Sequence, residues 1–197
     1  MLKWLINLFR TGDAQREPVR AAPIRPAPVT PLTRPVRTKG VQFDPLLIQH
    51  LKDDHRVLLG QYGDIKTAAA KAIATQGDWK AVEAGLVKLR RGLTDHLMTE
   101  TIKLYVYLQL SLARDREKSK VMRSFSSEMA GIGKVALDFI DKNRDVSLHP
   151  DKQEKFLDTW NEIGKVLGDR IGREEKTLYP MYDAANNDRA HPPSASA

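Results

Sequence analysis

The 197-residue chain contains no cysteine, which excludes disulfides, thiolate metal sites and cysteine nucleophiles. No apolar run approaches the roughly 20 residues needed to cross a bilayer, and the first ten residues lack the length and small-residue cleavage site of a secretory signal. No glycine-rich phosphate loop, no Ser/His/Asp order and no basic–aromatic patch is present. No stretch alternates Val, Ile or Thr with polar residues, and no hairpin turn signal occurs. The expectation is an all-helical, cytoplasmic protein that is not an enzyme and whose folded part does not bind nucleic acid.

Positive charge is abundant but unevenly placed. Of the net +7, residues 1–40 carry +6, from eight basic residues against Asp13 and Glu17. The remaining residues are close to neutral, so the high pI belongs to the leader. Residues 1–12 form a short amphipathic segment with Trp4, Leu5, Leu8 and Phe9 on one side. Residues 13–42 read as a disordered basic, proline-rich linker, with six prolines between Pro18 and Pro35. The segment suits a docking peptide for a protein partner or an anionic membrane surface; the alternative is a leader that folds back on its own domain. Residues 186–197 read as a disordered tail.

Between them, residues 43–185 show four helical seams. The first follows Asp44-Pro45, a helix start with Asp as cap, and runs Leu47, Leu51, His55, Leu58, Tyr62, Ile65 and Ala69. It fades at Thr75-Gln76-Gly77, and Asp78 caps the second, which runs Val82, Leu86, Leu89, Leu93, His96, Glu100, Leu104 and Tyr107. After a break near Arg114-Asp115 the third reads Val121, Phe125, Glu128 or Met129, Ile132, Val135 and Phe139. The fourth follows His149-Pro150 as Phe156, Trp160, Ile163, Leu167, Arg170 or Ile171, Glu174 and Leu178. Four such helices with short connections predict an antiparallel up-down four-helix bundle.

His96 and Glu100 stand one turn apart on a buried stripe, where an imidazole and a carboxylate are potential metal ligands and costly to bury unsatisfied. His55 lies 21 residues before Gln76 and His96 lies 20 after it. An antiparallel pair therefore brings these two histidines side by side, with Glu128/Met129 and Arg170–Glu175 within about two turns of the same level.

The segments LKDDHRVLL, HLMTE and RIGREEKTLYPMYD resemble the hemerythrin-like, or HHE cation-binding, domains over roughly residues 44–185. The resemblance implies a bundle holding non-haem iron in its core, with His55, His96, Glu100 and one of Glu174 or Glu175 as ligands. Seam spacing favours Glu174. Where the family carries histidine, the third helix has Glu128-Met129 and the fourth has Arg170-Ile171. Two readings are open. In one, Glu128 joins the set and carboxylate-rich ligation holds one ion, or two weakly. In the other no metal binds, and Arg170 pairs with Glu100 and with Glu174 or Glu128 within a buried polar network. The functional expectation is a binding or sensory module; the alternative is a metal-free bundle acting by protein contact. A faint similarity of the fourth helix to bacterial regulators of sigma D, or membrane recruitment through the first residues, would fit that alternative.

Overall fold

The structure, a computed structural model, describes residues 41–190, with side chains to residue 187. The expectations for Trp4, Leu5, Leu8 and Phe9, for most of the linker and for the last residues lie outside the described part. The described residues form four helical rods and contain no strand. The first rod is α1 (Leu47–Thr75). The second joins α2 (Lys80–Thr99), a π-helical segment (Glu100–Tyr105) and α3 (Val106–Ser111). The third is α4 (Arg116–Lys142). A 3₁₀ turn (Val146–Leu148) leads to the fourth, made of α5 (Pro150–Arg173), a second π-helical segment (Glu174–Leu178) and α6 (Tyr179–Ala190). Each rod packs on its neighbours in sequence and the fourth returns to the first, which is the antiparallel bundle predicted from the seams.

Local chemistry sets the ends. Gln76 adopts a left-handed conformation (φ 48°), and the Gly77 N–H reaches back to the Ala72 carbonyl at 2.9 Å, closing α1 with a Schellman-type turn. Asp115 caps α4 by accepting from the Lys118 N–H at 2.9 Å. Pro150 opens α5, where its missing N–H has no cost. The first helix starts later than Asp44-Pro45 suggested. Asp44 instead organises a preceding turn, its carboxylate accepting from Leu46 N–H at 3.0 Å. The last helix continues to Ala190, beyond the boundary expected at residue 185, and Val41 and Phe43 already pack on the bundle.

The third seam differs by one position from its reading in the sequence. The buried line is Met122, Phe125, Met129, Ile132, Ala136 and Ile140, while Val121 is exposed. Apolar residues occur at both 121 and 122, so pattern alone could not choose; packing against the second and fourth rods does. Met129 rather than Glu128 therefore faces inward.

Two apolar clusters fill the bundle. One surrounds Val82, Leu86, Ile140, Phe156 and Trp160, near the turn between the first two rods. The other gathers Leu47, Leu51, Leu104, Tyr107, Leu178 and Tyr182 at the opposite end. The first and fourth rods are stitched by a reciprocal pair: Tyr62 Oη donates to the Trp160 carbonyl and Trp160 Nε1 to the Tyr62 carbonyl, both at 3.3 Å. Gly164 permits that approach, since a Cβ there would lie 2.1 Å from Tyr62 Cζ.

Candidate metal centre

Between the two clusters, three of the four rods interrupt their apolar seams at one depth, and the third brings a methionine to the same level. His55 comes from α1, His96 and Glu100 from the second rod, Met129 from α4, and Arg170 and Glu174 from the fourth. The five polar members are each at most 3% exposed. The imidazole rings of His55 and His96 are 4.8 Å apart between centroids, the neighbourhood that their level in the sequence implied.

Each histidine has a carboxylate on its outer side. His55 Nδ1 lies 2.9 Å from Glu175 Oε1, and His96 Nδ1 lies 3.5 Å from Asp54 Oδ2. Both acids are partly exposed. Their inner nitrogens turn to the core: His55 Nε2 is 3.4 Å from Glu174 Oε2, and His96 Nε2 is 3.9 Å from Glu100 Oε2. A carboxylate on one ring nitrogen fixes the tautomer and orientation that leaves the other free to ligate.

The two π-helical segments begin on the two buried glutamates, and each brings a tyrosine five residues on into the same layer. A π turn widens the helix and adds a residue, shifting the phase of every later position in the rod. In a regular helix, Leu104 and Tyr107 would continue the seam after Glu100 and leave Tyr105 aside. Here Tyr105 is buried as well, and its hydroxyl accepts from Arg170 Nη2 at 2.9 Å. In the fourth rod Tyr179 comes after Glu174 in the same way. Its hydroxyl lies 3.3 Å from His55 Nε2 and donates to Glu100 Oε1 at 3.4 Å. These tyrosines look like ordinary core aromatics in the sequence. The one signal is the spacing Glu-x-x-x-x-Tyr, present in both rods.

Arg170 supplies the permanent charge. Its guanidinium lies 2.7 Å from Glu174 Oε1, donates to the Phe125 carbonyl at 3.1 Å and sits 4.5 Å above the Phe125 ring. Glu128 is not part of this centre. It lies at the rim, 2.5 Å from Arg173 Nη2 and 4.0 Å from Arg170 Nη1. Of the two adjacent acids on the fourth rod, Glu174 faces the core and Glu175 stands behind His55.

The electrostatics result from burial. Burial, helped by the charge of Glu174, pushes the Glu100 carboxyl up to about 8, so it holds a proton at neutral pH. Burial alone would lower His55, but its bonds to Glu174 and Glu175 outweigh this and leave it above the usual imidazole range. Burial and the adjacent His55 hold His96 below that range. Burial, reinforced by Glu100, keeps the Tyr105 and Tyr179 phenols protonated. Charges thus balance with Arg170 on Glu174 and His55 on Glu175. Glu100 Oε2, His96 Nδ1, Glu174 Oε1, and Arg170 Nε and Nη1 remain without a well-directed hydrogen bond from the protein.

With this geometry in view, the comparisons with known proteins identify the chain. The family model "Hemerythrin HHE cation binding domain" matches residues 46–182. The chain belongs to the hemerythrin HHE family. The comparisons with curated proteins and with solved structures gave no significant match.

A hemerythrin HHE domain implies a bound cation, and the residues fit that group in part. Two imidazole nitrogens and two carboxylates amount to one coordination sphere in number and type. They stand as two facing pairs, and among the described residues no three His, Asp, Glu or Cys side chains already converge on one point. The place on the fourth rod beside Glu174 is filled by a guanidinium, which cannot ligate and repels a cation. Among the described residues no helix is long and apolar enough to cross a membrane.

Proposed function

We propose that this chain is a non-catalytic hemerythrin-type binding module whose centre takes a single metal ion, with non-haem iron as the metal that its nitrogen and oxygen donors suit. His55 and His96 would supply Nε2, and Glu100 and Glu174 their carboxylates. Glu175 and Asp54 would hold the imidazoles, and Arg170 would limit the site to one ion. The observation that carries this reading is that both Nε2 atoms face buried carboxylates while a carboxylate stands behind each Nδ1, hydrogen-bonded at His55 and 3.5 Å away without a directed bond at His96. A pair of merely structural histidines has no need of that orientation twice.

A second reading rests on the Arg170–Glu174 pair. With that pair formed and Glu100 protonated, the layer is neutral without a metal, and the bundle would act by contact with a protein partner. One experiment separates the two. Protein purified anaerobically with iron supplied should contain about one iron per chain, lost in a His55→Ala/His96→Ala variant. Metal-free protein whose melting temperature is the same in iron and in chelator would establish the second reading instead. Sensing, the identity of a partner, a cytoplasmic location and membrane contact through Met1–Arg10 belong to the proposal. Deleting residues 1–12 and measuring co-sedimentation with anionic vesicles tests the last of these.

A further inference from the structure

The four donors named above stand as two facing pairs, His55 with Glu174 and His96 with Glu100. Among the described residues no three His, Asp, Glu or Cys side chains converge on one point. A fifth buried oxygen reaches both pairs. Tyr179 Oη lies 3.3 Å from His55 Nε2 and 3.4 Å from Glu100 Oε1.

These spacings are those of neighbouring ligands. Two donors that share one ion at ~2.0–2.1 Å stand roughly 2.9–3.4 Å apart, from octahedral to tetrahedral angles. The run from Glu174 Oε2 to His55 Nε2 (3.4 Å), on to Tyr179 Oη (3.3 Å) and then to Glu100 Oε1 (3.4 Å) keeps to that range. The link from Glu100 Oε2 to His96 Nε2 is wider, at 3.9 Å.

The backbone puts the phenol there. The π-helical segment Glu174–Leu178 ends immediately before Tyr179 and turns it into the layer, and such π turns recur at functional sites. Tyr179 is 1% exposed, and its ring lies nearly parallel to that of His55, with 12° between the planes and 5.8 Å between centroids. The hydroxyl is therefore held among the donors. Tyr105, the counterpart on the second rod, is committed elsewhere: its oxygen accepts from Arg170 Nη2 at 2.9 Å, which sets a permanent cation against it.

We propose that Tyr179 is a fifth ligand of the centre, binding the ion as a phenolate that joins the two pairs. This rests on the function proposed above. As the ion binds, the phenol O–H bond breaks, the proton leaves to solvent, and an oxygen electron pair forms the bond to the ion. No oxidant or reductant takes part. Metal binding displaces protons from its ligands in this way. With Glu100 and Glu174 ionised, the phenolate makes three negative donors for the three charges of a ferric ion.

Ferric iron is therefore the probe, because a phenolate on Fe³⁺ gives a visible charge-transfer band that imidazole and carboxylate ligands do not. The full chain titrated with ferric nitrilotriacetate should bind iron and develop that band. Tyr179→Phe, which keeps the ring against His55, should still bind iron and lose the band entirely, whereas Tyr105→Phe should retain it. If Tyr179→Phe does not fold, resonance Raman excited in the band takes its place. Phenolate ring modes should then appear, shift when the chain is made with ring-deuterated tyrosine, and persist in Tyr105→Phe. Iron bound without the band, or a band that survives in Tyr179→Phe, would overturn the fifth ligand and leave the proposed function standing. A chain that binds no iron refutes that function, and the ligand with it.

Discussion

Arg170 and Glu174 are one helical turn apart on the fourth rod, 2.7 Å from Nη2 to Oε1, and each is 1% exposed. A pair this deeply buried is costly to leave half-made. Removing one partner strands the other charge away from water, whereas replacing both by apolar groups removes the need for either.

Arg170→Met in metal-free protein should therefore lower stability by about 3–5 kcal/mol. The double variant Arg170→Met/Glu174→Leu should recover most of the loss. Urea denaturation in chelator measures both. A double variant no more stable than the single one would mean that the pair is not the source of the cost.

The same layer makes stability depend on pH. The folded protein keeps the Glu100 proton up to about 8, while the unfolded chain releases it near 4.5. Between those values the folded state binds more protons, so stability present at low pH is lost as pH rises through that window. His55, raised by its carboxylates, acts in the same direction. His96, lowered by burial, acts oppositely below the ordinary imidazole value. Glu100→Gln in chelator should flatten the decline between pH 5 and 8, read from urea midpoints across that range.

The acids behind the imidazoles should affect binding more than folding. Asp54, partly exposed and without a directed bond to His96, can be replaced by Ala with melting of the metal-free protein nearly unchanged, whereas Glu175→Ala, which strips buried His55 Nδ1 of its partner, should cost about 1 kcal/mol. Each should weaken metal affinity by about 10–100-fold through loss of ring orientation. Competition titration with a chromogenic chelator gives that number.

Gly164 tests the packing of the first rod on the fourth. A methyl group there meets the Tyr62 ring, which is stacked on Trp160 with centroids 5.0 Å apart. Gly164→Ala should cost about 1–3 kcal/mol by overpacking, and Tyr62→Leu in the same chain should relieve part of it. Thermal melts of the two variants are sufficient.

Much of this is legible in the sequence. The 3.6-residue period yields the four rods and the seams of the first, second and fourth, and the distances of His55 and His96 from the Gln76 turn yield their pairing. The period cannot choose between Val121 and Met122, because both registers carry an apolar side chain there, and the choice between Glu128 and Met129 hangs on that register. Nor can it see the π turns. An i→i+5 backbone bond leaves no periodic signature, and the Glu-x-x-x-x-Tyr spacing does not by itself distinguish a π turn, so Tyr105 and Tyr179 read as ordinary packing when they are bonded into the polar layer.

Four apolar stripes of similar composition could in principle slide past one another by a turn and still bury hydrophobic surface. The polar layer makes each such offset expensive. A one-turn slip of α1 would set His55 against leucines and leave Glu174 and Tyr179 facing an aliphatic wall. Whatever it binds, the layer between the two apolar clusters acts as an index mark that fixes the vertical alignment of all four rods.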